Sequence, residues 1–441
     1  IYFCKDLDDI YLSLQACRGL KIVHDDFPRQ VNAALVSNAK DGGSIAALSV
    51  GAKETPEDVD KIKASLMKEY ADVFDCSGKL KPMNAPPMKI ELKEGAKPVA
   101  IYSVRPTPYA YREKAEALIY KMLDDGVIER VGDRHVEWCH PAVFTPKPNG
   151  DVRCTVDLSN LNSQVKRPVH HARTPADIVF DRTPNARYFT TLDAKTGYWQ
   201  IELDEESRDF TTFLTSQGRF RYTRGPMGCI STGDSYNLHG DLALEGLKQV
   251  SKIVDDIKVE DVTLEEHVTR VRSVLDRCRA NGITLNPSKF VFAQEKVKFA
   301  GYIVSKDGVE ADPEKVRAIT DFATPTNISE LRSFMGMVNQ LASFSSDISR
   351  AATPLRDLMK TKNQFIWMEP HEKSFNEIKQ ALVKTPILAP FNPNAETRLE
   401  TDASRLHGLG FILLQKIDGQ CRLIQCGSRF LSDPETLESI L

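Results

Sequence analysis

Hairpin-type strand pairs and capped helices of ordinary length share this chain, which predicts an α+β fold divided into several domains. Three observations carry that prediction. β-rich runs flank Asn149-Gly150, the strongest short-range hairpin signal. A second pair of β-type runs, Ile253-Val254 before and Ile257 with Val259 after, flanks the adjacent carboxylates Asp255 and Asp256. Around these hairpins, N-cap residues repeatedly precede apolar residues at helical spacing.

In chain order, residues 1–34 alternate weakly and read as the last strands of a small β domain, and 38–54 are small, polar and Gly-containing, as a linker is. Thr55-Pro56 caps a helix with Val59, Ile62, Leu66 and Tyr70 on one face. A Pro-rich extended stretch runs from Pro82 to Pro106. Thr107-Pro108 starts a second helix that carries Tyr111, Leu118, Met122 and Leu123 and stops at Gly126. Further strands are predicted at Val127–Glu129, Tyr188–Leu192, Trp199–Leu203 and Arg219–Thr223. Thr263 with Glu266 forms a capping box for a helix closed by Asn281-Gly282. FAGYIVSKDGVEAD reads as a hairpin. Asp312-Pro313, then Asn327 with Glu330, start two helices, and another lies near Pro370–Val383. The tail is a β-meander with Asp418-Gly419 as one turn.

With 441 residues the chain exceeds one ordinary core, and roughly two to four domains are expected. Its 41% hydrophobic and 27% charged residues are those of a globular protein. A net charge of −3 creates no global basic field, so contact with nucleic acid has to come from local patches. The nine cysteines include no CxxC pair, and Cys139-His140 has no second ligand pair at zinc-finger spacing; reduced thiols of an intracellular protein are the reading. No stretch reads as a membrane span or signal peptide, and no membrane partner is expected. The chain opens with Ile1 rather than Met, which fits a piece of a longer polypeptide.

Adjacent acids at a hairpin tip are either a solvated turn or oxygen ligands for a divalent cation. Asp193, ending the strand in YFTTLD, is a second acid of the same kind; by itself it reads as a cap on the next turn. Together they supply what two-metal phosphoryl transfer needs: carboxylates from separate strands converging on cations about 3.5–4 Å apart. Hard, octahedral Mg²⁺ prefers a few carboxylates plus substrate phosphates to a full protein cage. Lys147 and Arg153 lie on either side of the Asn149-Gly150 turn and can hold a triphosphate, or simply face water.

The ordered blocks LDAKTGYWQIELDEESRDFTTF, GRFRYTRGPMG, IVDD, NGITLNPSKFVFAQEKVKFAGYIVSKDGV and TDASRLHGLGFILLQ resemble gypsy-type LTR retrotransposon Pol polyproteins, from about Pro82 onward. More weakly, LSLQACRGLKIVHDDFPRQV resembles the end of the retropepsin-like protease that precedes reverse transcriptase there; with no Asp-Thr/Ser-Gly motif, protease activity is not expected. The resemblance implies a right-hand polymerase with fingers, an RRM-like palm and a thumb, followed by a truncated RNase H-like α/β domain. It divides the chain into a protease remnant (1–37), linker and helix (38–81), fingers and palm (82–310), thumb and connection (311–394) and the first part of an RNase H-like domain (395–441).

The implied function is RNA-directed DNA polymerase, adding dNTPs to the primer 3′-hydroxyl on an RNA or DNA template, with two Mg²⁺ ions or Mn²⁺ as an alternative. The setting implied is a cytoplasmic retroelement particle; oligomeric state is left open. Asp193, Asp255 and Asp256 match the metal-binding acids, and Lys289 in NPSKF a basic residue that protonates leaving pyrophosphate or stays a surface Lys. Lys147 and Arg153 match the triphosphate contacts. Tyr198 matches a steric gate against the 2′-hydroxyl, and Pro226-Met227-Gly228 the loop beside the nascent base pair. Phe299-Ala300-Gly301-Tyr302 matches a grip on the primer end. Two departures stand out: Ile253 where the family has an aromatic, and Thr232-Gly233-Asp234 in place of Ser-Ala-Pro. Asp402 in TDAS matches the first RNase H acid. The next would fall beyond Leu441, and one carboxylate cannot hold two metals, so RNA cleavage is not expected. The competing reading is a nucleic-acid-binding remnant that no longer polymerises.

Overall fold

Pro56 opens the first helix, α1 (Pro56–Glu69), with Glu57 and Asp58 in its first turn and Lys68 in its last, all aligned with the helix dipole. The computed structural model describes residues 56–75, 78–147, 150–170, 174–360, 364–404 and 408–429. The expected protease remnant, the linker and Asn149 lie outside these residues. The chain forms two compact units. One comprises Pro56–Ala318 with Thr385–Asn394; the other takes in Ile319–Lys384 and the chain from Ala395 onward. The return of Thr385–Asn394 to the larger unit rests on paired backbone bonds of 2.9 Å between Val309 and Leu388. The two units thus meet along the chain at 318/319, 384/385 and 394/395.

In the larger unit, α2 (Arg112–Asp124) buries Ala115, Ile119 and Met122; Leu118 and Leu123 are only partly covered. Next come β1 (Ile128–Arg130), β2 (His140–Pro146), β3 (Val152–Val156), α3 (Ser159–Asn162), α4 (Pro175–Phe180), β4 (Tyr188–Asp193), α5 (Glu205–Arg208), β5 (Phe213–Thr215) and β6 (Gly218–Tyr222). The stretch expected as a strand at Trp199–Leu203 is instead a 3-10 turn, Gly197–Gln200, followed by isolated bridges at Glu202 and Leu203. The left-handed Thr196 starts that turn, and its bend overrides the aromatic β-preference of the segment. α6 (Ile230–Ala243), β7 (Val250–Ile253), β8 (Asp256–Asp261), α7 (Leu264–Ala280), β9 (Val291–Gln294), β10 (Lys296–Phe299), β11 (Tyr302–Ser305), β12 (Gly308–Ala311) and α8 (Pro313–Thr320) complete the series.

Two sheets position the chemistry. The five-stranded one has the order β1-β6-β5-β2-β3. The four-stranded one, β7-β8-β4-β9, is antiparallel throughout. Its chain order β4-α6-β7-β8-α7-β9 is the split βαβ arrangement of an RRM-like palm, with the β5–β6 hairpin inserted before α6. Thr190, Leu192, Ile257 and Val259 share one face of β4 and β8, toward α7, where Val271, Val274, Leu275 and Cys278 are fully buried. The contact of Thr190 Oγ1 with His267 Nε2 at 2.6 Å fixes which face that is. Thr263 caps α7 by accepting from the Glu266 N–H at 3.3 Å.

The smaller unit holds α9 (Ile328–Gln340), capped by Asn327, then α10 (Ser346–Ala351), α11 (Thr353–Leu358) and α12 (Glu369–Val383). Phe334 and Phe375 pack in its core with tilted rings, their centroids 4.6 Å apart. β13 (Thr397–Ser404), β14 (Gly408–Ile417) and β15 (Gln420–Arg429) form its antiparallel sheet, with Asp418-Gly419 as the expected turn.

Candidate active site

β4 and β8 run in a register that pairs Phe189 with Glu260, Thr191 with Lys258 and Asp193 with Asp256. Partners across an antiparallel ladder project from the same face, so Asp193 and Asp256 both leave the face opposite α7. The sequence predicts both hairpin acids at the tip. In the structure the two-residue turn is Val254-Asp255, and Asp256 is already in the ladder, opposite Ile253. Val254 sits at φ 53°, a left-handed conformation that costs a β-branched residue about 1–3 kcal/mol. Ala194 N–H donates to the Asp255 carbonyl at 2.8 Å, tying the strained turn to the end of β4.

Asp193 is buried, with 6% of its surface exposed, and its Oδ2 accepts from Lys289 Nζ at 2.6 Å. That contact, and the charges of Asp255 and Asp256 beyond it, raise the Lys289 pKa, so the ammonium is held protonated. Burial first, then the Asp255 and Asp193 charges, push Asp256 up to about 6, while Lys289 pulls it down. Three carboxylates thus face one ammonium, an all-oxygen donor set in want of positive charge, which is the chemistry of a hard divalent cation. Among the described residues, no three His, Cys, Asp or Glu side chains close into a metal cage by themselves. Sites that complete their coordination with substrate phosphates have that character.

Lys147 and Arg153 are exposed on the β2–β3 hairpin. Arg153 faces Thr145 across the ladder, two residues before Lys147 on the same strand face. Lys147 N–H donates to Asp151 O at 2.7 Å, and Gly150 takes φ 83° in the turn. Lys114 Nζ donates to Gly150 O at 2.6 Å, bracing the tip from α2.

Tyr198 lies half-buried in the 3-10 turn, edge-on to Tyr236 of α6 at 5.5 Å. Burial and then the Asp255 charge raise its phenol pKa, which places the ring within the field of the acids. Two glycines permit this packing. A Cβ on Gly197 would lie 2.7 Å from the Tyr236 ring, and one on Gly225 would lie 2.7 Å from the Tyr198 carbonyl oxygen.

Met227 is half-buried and Gly228 exposed at φ 93°. Asn162 bridges this loop: its Nδ2 donates to Gly228 O at 2.8 Å, and its Oδ1 accepts from Ile230 N–H at 2.9 Å. In the Thr232-Gly233-Asp234 departure, the buried Asp234 carboxylate accepts a fork from Arg167, at 2.6 Å from Nε and 3.1 Å from Nη2. Ile253, at the end of β7, is half-buried.

Ala300 (φ 52°) and Gly301 (φ 78°) form a two-residue turn between β10 and β11, both left-handed as a primed hairpin turn demands. The Tyr302 ring is buried against Phe180, with Lys315 Nζ 5.9 Å from its centroid. Both turn residues are half-buried, and the Lys315 side chain fills the place a Cβ on Gly301 would take. Asp402 is exposed on β13 opposite Gly410, in the smaller unit.

Residue reasoning missed α6, Asn162 and Gln200. The buried Gln200 donates to Lys195 O at 2.7 Å and to Thr284 O at 2.9 Å, and accepts from Thr284 N–H at 2.8 Å. It locks the loop after Asp193 to the segment before Lys289, where Leu285 bridges Ala194. Nothing in the local pattern marks either side chain, since both act on backbone distant in sequence.

Residues 145–304 match the family described as reverse transcriptase (RNA-dependent DNA polymerase), and 367–441 match the RNase H-like domain found in reverse transcriptase. The Pol polyprotein of transposon opus from Drosophila melanogaster is 30% identical over 402 residues, covering 87% of this chain and 40% of that protein. That of transposon 412 from the same species is 26% identical over 399 residues, covering 88% and 31%. The Tf2-3 polyprotein of Schizosaccharomyces pombe is 30% identical over 316 residues, covering 71% and 23%. The chain therefore spans less than half the length of these relatives. A foamy viral protease-reverse transcriptase in complex with an RNA/DNA hybrid aligns with a TM-score of 0.74 at 20% identity, over 87% of this chain and 51% of that one. A dRH form in complex with double-stranded DNA gives 0.73 at 20% identity, over 89% and 71%. At such identity the likeness is one of fold. The chain contains a reverse transcriptase domain and an RNase H-like domain, on the α+β polymerase fold.

Proposed function

We propose, from the reverse transcriptase domain at residues 145–304, that this chain is an RNA-directed DNA polymerase of a gypsy-type retroelement Pol polyprotein, extending a primer on an RNA or DNA template with dNTPs. The observation that carries the reading is the Asp193–Asp256 register pair beside the strained Val254-Asp255 turn. In this reading 82–310 are fingers and palm, 311–394 thumb and connection, and 395–441 the start of the RNase H-like domain. The setting of this reading is a cytoplasmic retroelement particle; separately, among the described residues no helix is long and apolar enough to cross a membrane.

Asp193, Asp255 and Asp256 would hold two Mg²⁺ ions, or Mn²⁺, whose charge is supplied at the attacking and leaving oxygens. The chain's own side chains do the rest by positioning and electrostatics. Lys147 and Arg153 neutralise the triphosphate from the fingers hairpin. The Tyr198 ring lies under the sugar and rejects a 2′-hydroxyl. The Met227-Gly228 loop, braced by Asn162, borders the nascent base pair, and the Ala300-Gly301 backbone holds the primer end. The primer 3′-oxygen forms its bond to the α-phosphorus as the bond to the β-phosphate bridging oxygen breaks. The hydroxyl proton leaves to solvent, and Lys289, kept protonated by Asp193, donates a proton to the departing pyrophosphate.

Primer extension on an RNA template with Mg²⁺ tests this reading. Extension by the native chain that disappears in Asp255→Asn is the expected result. No extension by the native chain, or undiminished extension by the variant, overturns it and leaves a nucleic-acid-binding remnant.

A further inference from the structure

The sheet face that carries the catalytic acids also carries a buried charge cluster that the reaction does not use. Lys258 and Glu260 follow Asp256 at alternate positions on β8, and Phe189 precedes Asp193 on β4, all on that face. The side chains of Lys258, Glu260 and Arg182 are 0%, 3% and 1% exposed. Arg182 Nε donates to Glu260 Oε2 at 3.1 Å, and its guanidinium lies 5.0 Å from the Phe189 ring centroid. Its other two nitrogens leave the sheet: Nη2 donates to Ser305 O at 2.9 Å and Nη1 to Gly308 O at 3.2 Å. Lys258 Nζ donates to the same Glu260 oxygen at 2.9 Å and sits 5.6 Å from the Phe299 ring. The second Glu260 oxygen accepts from Thr183 N–H at 2.7 Å.

Three buried charges are a poor way to stabilise a sheet, because apolar side chains of similar volume avoid their desolvation. What they supply is direction, since each nitrogen and oxygen accepts one geometry only. Here the geometry joins two things: the strands that end in Asp193 and Asp256, and the β10–β12 hairpins that display Ala300-Gly301. Phe299 enters that turn over Lys258, and the β11–β12 turn is held at both ends by Arg182.

We infer that Arg182, Glu260 and Lys258 form a buried strut that sets the Ala300-Gly301 turn against the catalytic acids, so that Arg182 is a positioning residue for the primer 3′-hydroxyl. The inference rests on the polymerase reading for its role and on the geometry alone for the strut. A single-turnover reaction depends steeply on such placement, whereas primer binding is spread over many phosphate contacts.

The test uses the full chain with Arg182→Lys, which keeps the charge but loses the fork, and Lys258→Met, which leaves the Arg182–Glu260 pair neutral and is milder for folding. Amide hydrogen exchange at Ala300–Ile303 is followed alongside thermal melting, single-nucleotide incorporation and primer–template affinity. The expected result is faster exchange confined to the β10–β12 hairpins, the Ala300–Ile303 amides included, at least about tenfold slower incorporation, and affinity within about threefold of the native chain. Unchanged exchange in both variants overturns the strut, whatever the activity. Faster exchange with an unchanged incorporation rate overturns the positioning role. A native chain that does not incorporate defeats the polymerase reading, and the exchange result still decides the strut.

Discussion

Asp193 and Asp256 are direct partners across the β4–β8 ladder, and Lys289 Nζ reaches Asp193 Oδ2 at 2.6 Å. Like charges on one sheet face are unfavourable, so this pairing persists in a fold only with positive charge brought to it. The ammonium answers part of the demand, while burial first, and then the Asp255 and Asp193 charges, hold the Asp256 pKa up.

Asp193→Asn or Asp255→Asn is expected to lower single-nucleotide incorporation by on the order of 10³-fold, with the melting temperature retained or raised. Rapid-quench extension and a thermal melt read the two effects separately.

Asp256 titrates at about 6 in the fold, against about 3.9 for an unfolded aspartate. A raised carboxyl pKa contributes stability that is complete below pH 4 and lost as pH rises through about 6. Asp256→Asn, freed of that titration, is therefore expected to melt about 1–3 °C above the native chain at pH 7.5 without divalent cation. The difference disappears at pH 4, and Mg²⁺ at pH 7.5 stabilises the native chain more than the variant. Differential scanning calorimetry checks all three.

Gly197→Ala pushes a Cβ to 2.7 Å from the Tyr236 ring. Overpacking of this kind costs about 1–3 kcal/mol. Urea denaturation should show the loss, and displacement of the adjacent Tyr198 should raise the KM for dNTP.

Tyr198→Val removes the ring from beneath the sugar and is expected to relax discrimination against ribonucleotides by at least about tenfold. The ratio of kcat/KM values for a dNTP and its rNTP is the measurement.

Asn162→Ala removes both hydrogen bonds that span Gly228 and Ile230. Each is worth about 0.5–1.5 kcal/mol, so a rise of about tenfold in the KM for dNTP is expected, with primer–template affinity unchanged.

Much of the secondary structure was legible because its signals are local. Asn327 and Thr263 cap the helices they announce, and Asp418-Gly419 turns the strands around it. α6 was not legible: Gly233, Gly240, Ser231 and Thr232 lower its helix propensity, and packing supplies what propensity lacks. Trp199–Leu203 failed in the opposite sense, its β-type residues being bent into a turn by Thr196. Asp255 and Asp256 were legible as acids at a turn, but not which of them occupies the turn and which the ladder.

The sequence by itself determined the hairpins, the caps and the identities of the acids, because periodicity and turn chemistry act over a few residues. Only the tertiary structure decided which groups meet. Lys289 reaches Asp193 across 96 residues, Asn162 reaches Gly228 across 66, and Arg182 reaches Ser305 across 123. Strand register and the topology of the sheet set those distances, and neither is written in any local stretch of the chain.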